Sequence, residues 1–179
     1  MFGTKFLSLF FLSVLTFCGN LLAQTEKTSL QIEKNYLSVT LKKSDCDADC
    51  SVYNLSIQPN GNILFEGISM TKVKGKIESS LSETKLDQLI NEIVKADFFS
   101  LKNFYTYESK NCPWIMLDSS TIILSINLNG KKKTITHYLG CAERNEPETA
   151  LKPFPQQLYN LENRIDEIIE TKRWIGERK

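Results

Sequence analysis

The sequence has little histidine and little excess charge of either sign, and each shortage excludes a class of function. His137 is the only histidine, and no nucleophile elbow, phosphate-binding loop or metal-ligating histidine pair accompanies it. Lys and Arg total 22 against 21 Asp and Glu, so the chain has no general attraction to nucleic acid or acidic membranes. We therefore predict no catalytic residue, no metal or other cofactor, and no nucleic-acid partner.

Long hydrophobic runs are also scarce. The apolar run Phe6 to Phe17 follows Lys5, and it is shorter than the roughly 20 residues that span a bilayer. With the small residue Ala23 after it, the run predicts a secretory signal peptide at residues 1–23. Lipid attachment at Cys18 is the alternative, which the bulky Phe17 before it disfavours. We predict a periplasmic or secreted protein with no membrane span, an N-terminal tail at 24–34 and a single domain at 35–176.

Cysteine is sparse but informative. Of five cysteines, Cys18 would leave with the signal peptide, and an even number in an exported chain favours disulfides. Three pairings of the remaining four are possible. We favour Cys46–Cys50, because the two are neighbours, and Cys112–Cys141, because these two flank a predicted hairpin.

The stretch around Cys46 and Cys50 also contains three aspartates: Asp45, Asp47 and Asp49. Nearby carboxylates raise a thiol pKa, which disfavours a redox site. A calcium loop of the EF-hand type would need glycine where Cys50 stands and glutamate where Ser56 stands. A structural zinc site would need a second close cysteine pair, which the other two cysteines do not form. A structural disulfide is the favoured interpretation.

Hydrophobic periodicity predicts an α+β fold. Alternation indicates strands at 35–43, 53–57, 63–65 and 71–79 and a hairpin at 121–140. Helical periodicity indicates a helix that begins after Ser82 and a final helix that begins near Pro155. Strands joined by tight turns pair antiparallel, and each helix has a single apolar stripe. The order ββββαββα therefore predicts an antiparallel sheet of about six strands with both helices packed on one face.

Register arguments predict both turns. A three-residue loop at Pro59–Gly61 pairs Ile57 with Ile63 and keeps the apolar side chains on one face. A two-residue Asn129-Gly130 turn pairs Ile122 with His137 for the same reason.

His137 lies in the middle of a predicted strand, on the face that carries Ile135. A packed, hydrogen-bonded histidine is therefore favoured over a catalytic one. The alternative is a small hydrolase that uses His137 with Asp118. Four acidic residues of the final helix are interpreted as a solvated face: Glu162, Asp166, Glu167 and Glu170.

The irregular stretch 103–120 is the candidate binding surface, because irregular segments of this length are often functional. Its candidate residues are Tyr105, Tyr107, Trp114 and Asp118, in a loop tethered by Cys112. They would contact a protein or a small ligand. The alternative is that the aromatic side chains cap the core of the sheet.

Lysines mark two places in the sequence. Lys72, Lys74 and Lys76 share one face of the predicted strand 71–79, which indicates an edge strand guarded by charge. The alternative is an anion-binding ridge that these lysines form together with residues 131–133.

Six stretches occur in the order typical of one family: CDADCSVYNLSI, GNILFEG, KVKGKI, ADFFSLKNFY, LNGKKKTITHYLGC and TKRWIG. Together they resemble a bacterial exported domain family of unknown function, over roughly residues 35 to 176. Ser51 stands where that family usually has proline, which implies a looser turn after Cys50. The resemblance implies no catalytic residue. We expect an exported, disulfide-stabilised, non-enzymatic module that binds an envelope or extracellular protein.

Overall fold

The computed structural model describes residues 36–44, 46, 49–144 and 150–176. The predicted signal peptide, the tail at 24–34 and Cys18 lie outside the described residues. Within the described part of the chain are ten strands and three helices. The strands are β1 (Ser38–Lys43), β2 (Val52–Ile57), β3 (Asn62–Ser69), β4 (Gly75–Ser80), β5 (Phe104–Tyr105), β6 (Trp114–Ile115), β7 (Thr121–Leu128), β8 (Lys131–Tyr138), β9 (Cys141–Arg144) and β10 (Leu151–Pro153). The helices are α1 (Glu83–Lys95), α2 (Gln156–Ile169) and α3 (Lys172–Ile175).

A seven-stranded sheet has the order β4-β3-β2-β1-β7-β8-β5. Both predicted registers are confirmed, since Ile57 pairs with Ile63 and Ile122 pairs with His137. Asn129 and Gly130 have φ values of 50° and 77°, the left-handed conformations that a two-residue type I′ turn requires. The tight turns therefore fix which side chains of these strands face the core.

The α+β class is confirmed, whereas the predicted single antiparallel sheet of about six strands with two helices differs from the structure in four respects. The sheet has seven strands, and β5 runs parallel to β8. A second sheet has three strands in the order β10-β9-β6, and a third helix, α3, follows α2. The four strands missed by the sequence analysis have two to four residues each, too few to show an alternating pattern.

The lysine-rich segment forms a shorter strand than predicted, because β4 begins only at Gly75. Before it, the Val73 N–H donates to the Trp174 carbonyl at 2.9 Å, which directs residues 71–74 toward α3. Strand β4 is one edge of the large sheet, whereas Lys131–Lys133 lie on β8, and four strands separate β8 from β4. A single anion-binding ridge made from both lysine groups is therefore wrong.

The apolar stripes of α1 and α2 are buried, as periodicity predicted, except at Val94, which periodicity placed in the stripe of α1 and which is exposed. The buried members are Leu86, Leu89, Ile90, Ile93, Leu158, Leu161, Ile165 and Ile168. The predicted N-cap is confirmed, since Ser82 Oγ accepts from the Lys85 N–H at 3.3 Å. The Trp174 ring of α3 packs on Phe65 of β3 with centroids 4.9 Å apart. No helix of the described residues is both long and apolar enough to cross a membrane.

Candidate functional site

Both favoured cysteine pairs are joined in the structure. Cys46 is bonded to Cys50, and Cys112 is bonded to Cys141, with Cα atoms 5.7 Å and 5.3 Å apart. Among the described residues, which leave out Asp45 and Asp47, no group of three His, Cys, Asp or Glu side chains is placed to hold a metal ion. Cys112–Cys141 connects the irregular stretch 103–120 to β9.

Several independent contacts fix the 103–120 stretch to the body of the protein. At its start, the Thr136 N–H of β8 donates to the Asn103 carbonyl at 2.8 Å. Past its middle, β6 pairs antiparallel with β9, next to the Cys112–Cys141 disulfide. The loop therefore has a defined position.

Tyr105 is the inward-facing anchor of this loop. It is buried, and its ring meets His137 and Phe154 edge to face, with centroids 6.3 Å and 6.0 Å apart. Its hydroxyl accepts from the Lys102 N–H at 2.9 Å. Tyr105 caps the core, so it is not available for the binding surface on which the sequence analysis placed it.

The other loop aromatics face solvent and have apolar neighbours that the sequence analysis did not single out. Apart from Phe104, the exposed large apolar side chains of this stretch, which we call the apolar loop surface, are Tyr107, Trp114, Ile115, Met116 and Leu117. Leu117 is 79% exposed and Tyr107 is 65% exposed, more than any other large apolar side chains of the described residues. The guanidinium of Arg144 lies 4.9 Å from the centre of the Trp114 ring. An apolar run directly after Cys112, in a segment without periodicity, is the sequence signal that could have identified this set.

Tyr138 and Gly140 hold the far end of the apolar loop surface. The Tyr138 hydroxyl donates to the Met116 carbonyl at 2.9 Å and accepts from the Ser119 N–H at 3.3 Å. The Met116 N–H donates to the Gly140 carbonyl at 2.7 Å. Asp118 lies in this segment, is exposed, and has a left-handed φ of 60°.

Gly140→Ala should displace this segment. A Cβ at position 140 would lie 2.1 Å from the Met116 oxygen and 2.4 Å from Cε1 of Tyr138, so backbone must move. Overpacking of this kind costs about 1–3 kcal/mol. We expect faster amide hydrogen exchange at Met116 and Ser119, measured by NMR. Amides of the β2–β3 hairpin serve as the internal control, and unchanged exchange at Met116 would contradict the assigned contact.

His137 is fully buried, with 0% exposure, and both ring nitrogens have partners. Nδ1 lies 2.8 Å from Oε2 of Glu162, and Nε2 lies 3.2 Å from the Phe154 carbonyl oxygen. A carbonyl oxygen only accepts, so Nε2 is the donor to Phe154, and Nδ1 bonds to the carboxyl group of Glu162. The structure thus places Glu162, and not the exposed Asp118, beside the histidine.

Glu162 is 2% exposed, so the interpretation of its helix face as solvated is wrong at this position. Burial raises the pKa of its carboxyl group, and the hydrogen bond and charge of His137 oppose that rise. Its Oε1 has no hydrogen-bond partner among the described residues. Asp166 of the same helix accepts from the Tyr53 hydroxyl at 2.8 Å. Position 162 lies four residues after Leu158 and three before Ile165, both buried, and that spacing was the available signal.

Residues 37–169 match a family described as Domain of unknown function (DUF6438). No curated protein matches the sequence. The match agrees with the resemblance to a family of unknown function, and it brings no activity or ligand with it.

Proposed function

The chain belongs to the DUF6438 family of domains of unknown function, and from its geometry we propose an exported, disulfide-stabilised, non-enzymatic module of the bacterial envelope. Its role is to bind another envelope or extracellular protein. The binding site is the apolar loop surface, formed by Tyr107 and residues 114–117.

The observation that carries this proposal is an exposed apolar segment on a fixed loop. Contiguous exposed apolar side chains mark interaction sites, and Trp and Tyr are enriched among the residues that dominate binding energies. The Cys112–Cys141 disulfide, the β6–β9 pairing and the Tyr138 hydrogen bonds hold the loop before any partner arrives. A pre-ordered loop loses less conformational entropy on binding, which favours affinity.

A protein partner fits this surface because of the open edge of the small sheet. Strand β6 has β9 as a neighbour on one side and is the last strand in the order β10-β9-β6. An edge strand can accept an extended segment of a partner through main-chain hydrogen bonds, with side-chain contacts adding specificity. Trp114 and Ile115 of β6 would supply those contacts, and Arg144 beside Trp114 would favour an acidic residue in the partner.

The predicted signal peptide and the two disulfides support the extracytoplasmic location. Disulfides persist in oxidising compartments and are rare in the cytosol of most organisms. The burial of His137 supports the non-enzymatic part of the proposal. With 0% exposure and partners at both nitrogens, this side chain has no free position for a substrate.

A double substitution tests the proposal. Trp114→Ser with Leu117→Ser should weaken partner binding at least tenfold, because hot-spot aromatic residues contribute about 2 kcal/mol or more. Ile68→Ser with Val94→Ser is the matched control, since both residues are exposed and lie outside the loop. The partner is first identified with a photo-crosslinking residue at position 115, in cells of the source organism. The purified partner is then titrated with each variant by calorimetry.

The control defines the outcomes. Tight binding by the control and weak binding by the loop variant supports the proposal. Equal binding by both double variants contradicts the assigned site. Crosslinks at position 115 only to a second copy of this chain, or only to lipid, would contradict the proposed class of partner.

A further inference from the structure

A groove beside the outer edge of the large sheet is separate from the apolar loop surface. Its volume is about 690 Å³, within the roughly 300–1,000 Å³ typical of small-molecule sites. It follows β8 and reaches β5 and the segment before it. The lining residues are Phe99, Asn103, Phe104, Lys131, Lys132, Lys133, Thr134 and Thr136.

The groove has positive charge without an acid in its lining. Lys131 and Lys132 are exposed and form no ion pair with any residue that the structure describes. Lys133 is more buried, and its Nζ donates to the carbonyls of Phe99 and Leu101. The ammonium group of Lys133 is therefore occupied by protein carbonyls, while those of Lys131 and Lys132 are available to bind a ligand. Uncompensated charge in a concave site attracts an anion.

The other end of the groove differs in chemistry. Phe104 is 57% exposed and pairs with Thr136 across the parallel β5–β8 bridge. Along a strand that rises about 3.3 Å per residue, the Cα atoms of Thr136 and Lys131 lie roughly 16 Å apart, and the flexible four-carbon stem of the lysine can extend toward β5 and shorten that gap. The groove is thus cationic near the Asn129-Gly130 turn and aromatic near β5. Hydroxyl groups of Thr134 and Thr136 and the Asn103 amide lie among its lining groups.

We propose that this groove binds an acidic sugar, a saccharide that carries a carboxylate or phosphate group. The acid group pairs with Lys131 and Lys132, since an ammonium group is a good point-charge partner for either anion. The apolar face of the sugar ring packs against Phe104, and its hydroxyl groups bond to Asn103 and Thr136. A fatty acid would leave these polar groups unpaired, and an inorganic anion would leave Phe104 unused.

Titrations monitored by NMR on the ¹⁵N-labelled mature chain test the proposal. The probes are glucuronic acid, glucose 6-phosphate, neutral glucose, inorganic phosphate and AMP. We expect glucuronic acid or glucose 6-phosphate to shift the amides of residues 103–104 and 131–136. We expect neutral glucose and inorganic phosphate each to bind at least tenfold more weakly.

Two variants locate the binding groups. Lys131→Gln with Lys132→Gln should weaken binding at least tenfold and reduce its dependence on salt. Lys72→Gln with Lys74→Gln, exposed lysines near the opposite edge of the sheet, should leave binding unchanged. Phe104→Ala should weaken the binding of glucuronic acid and glucose 6-phosphate while leaving the binding of inorganic phosphate unchanged. Thermal unfolding of each variant checks that the fold is retained.

Several results would overturn the proposal. Inorganic phosphate that binds as tightly as glucose 6-phosphate would show an anion site without sugar recognition. If AMP bound more tightly than the other probes, the ligand would be a nucleotide instead of an acidic sugar. Equal losses of binding affinity in the two double-lysine variants would indicate non-specific attraction to positive charge. The absence of amide shifts with every probe would exclude the site. None of these outcomes depends on the apolar loop surface, so the proposed protein binding is tested separately.

Discussion

Glu162→Ala should lower the free energy of unfolding by about 3 kcal/mol. Removal of one partner of a buried pair leaves the other polar group buried without its hydrogen-bond partner, and such changes cost about 3–5 kcal/mol. The alanine would leave Nδ1 of His137 facing a cavity at a position with 0% exposure. Urea denaturation monitored by circular dichroism measures the loss. A loss below 1 kcal/mol would contradict the assigned contact between His137 and Glu162.

Glu162→Gln separates the hydrogen bond from the titration of the carboxyl group. A glutamine amide can donate to Nδ1 while the Nε2 proton of His137 still bonds to the Phe154 carbonyl. We therefore expect glutamine to cost much less than alanine. The variant also removes the carboxyl group of Glu162, whose pKa is raised by burial.

The free energy of unfolding should then depend on pH differently in the wild-type protein and in Glu162→Gln, in a direction that follows from the raised pKa. The carboxyl group has a higher pKa in the folded protein than its ordinary value of about 4.5, because burial disfavours the charged form. Asp166 raises this pKa further, while His137 and Lys43 lower it. Such a group stabilises the fold below its ordinary pKa, and the contribution is lost as the pH rises through the raised value. From about pH 4.5 upward, the wild-type chain should lose stability relative to Glu162→Gln.

Urea denaturation at intervals from pH 4 to pH 8 measures this difference. Glu167→Gln is the matched control, because Glu167 lies on the same helix, is exposed, and pairs with Arg164 at the surface. Its pH profile should remain parallel to that of the wild-type chain. Parallel profiles for wild type and Glu162→Gln would contradict a titrating buried carboxyl group.

The parts of the fold that the sequence predicted are those set by local turns. In the β2–β3 and β7–β8 hairpins, the loop length and the apolar alternation admit one register, and the structure has that register. The helices were predictable because each has a single apolar stripe of sufficient length. Local patterns determine these elements, so no distant contact had to be known.

Glu162 shows why the rest could not be predicted. A carboxylate on an amphipathic helix faces water in most proteins, and only a distant partner makes its burial favourable. That partner, His137, lies on β8, and the two meet only after the helix packs on the sheet. Strand β5 is a similar case, because its parallel pairing with β8 depends on tertiary contacts. Of the residues predicted for a binding surface, Tyr107 and Trp114 are exposed while Tyr105 is buried, and the binding role itself stays a prediction.

Loss of the Cys112–Cys141 disulfide is the second change for which we expect a large effect. The bond joins residues 29 positions apart, and the loop-entropy relation gives about 3.5 kcal/mol for a ring of that size. Cys112→Ser with Cys141→Ala is the suitable variant, because position 141 is fully buried and alanine places no polar atom there. Typical domains have a free energy of unfolding of about 5–15 kcal/mol, so the variant should lose a large fraction of its stability.

Cys46→Ser with Cys50→Ser is the control for this experiment. Its ring joins residues four positions apart, for which the same relation gives about 2 kcal/mol.

The two disulfides should also differ in which part of the chain they hold in place. Loss of Cys112–Cys141 frees β6 from one of its attachments to β9, so protease cleavage between residues 106 and 118 should accelerate in that variant alone. Equal stability losses with unchanged cleavage would contradict an anchoring role, and four free thiols in the mass of the native exported protein would contradict both bonds. Because β6 carries Trp114 and Ile115, the variant should also bind the protein partner more weakly, which would connect the disulfide to the proposed function through the position of the loop.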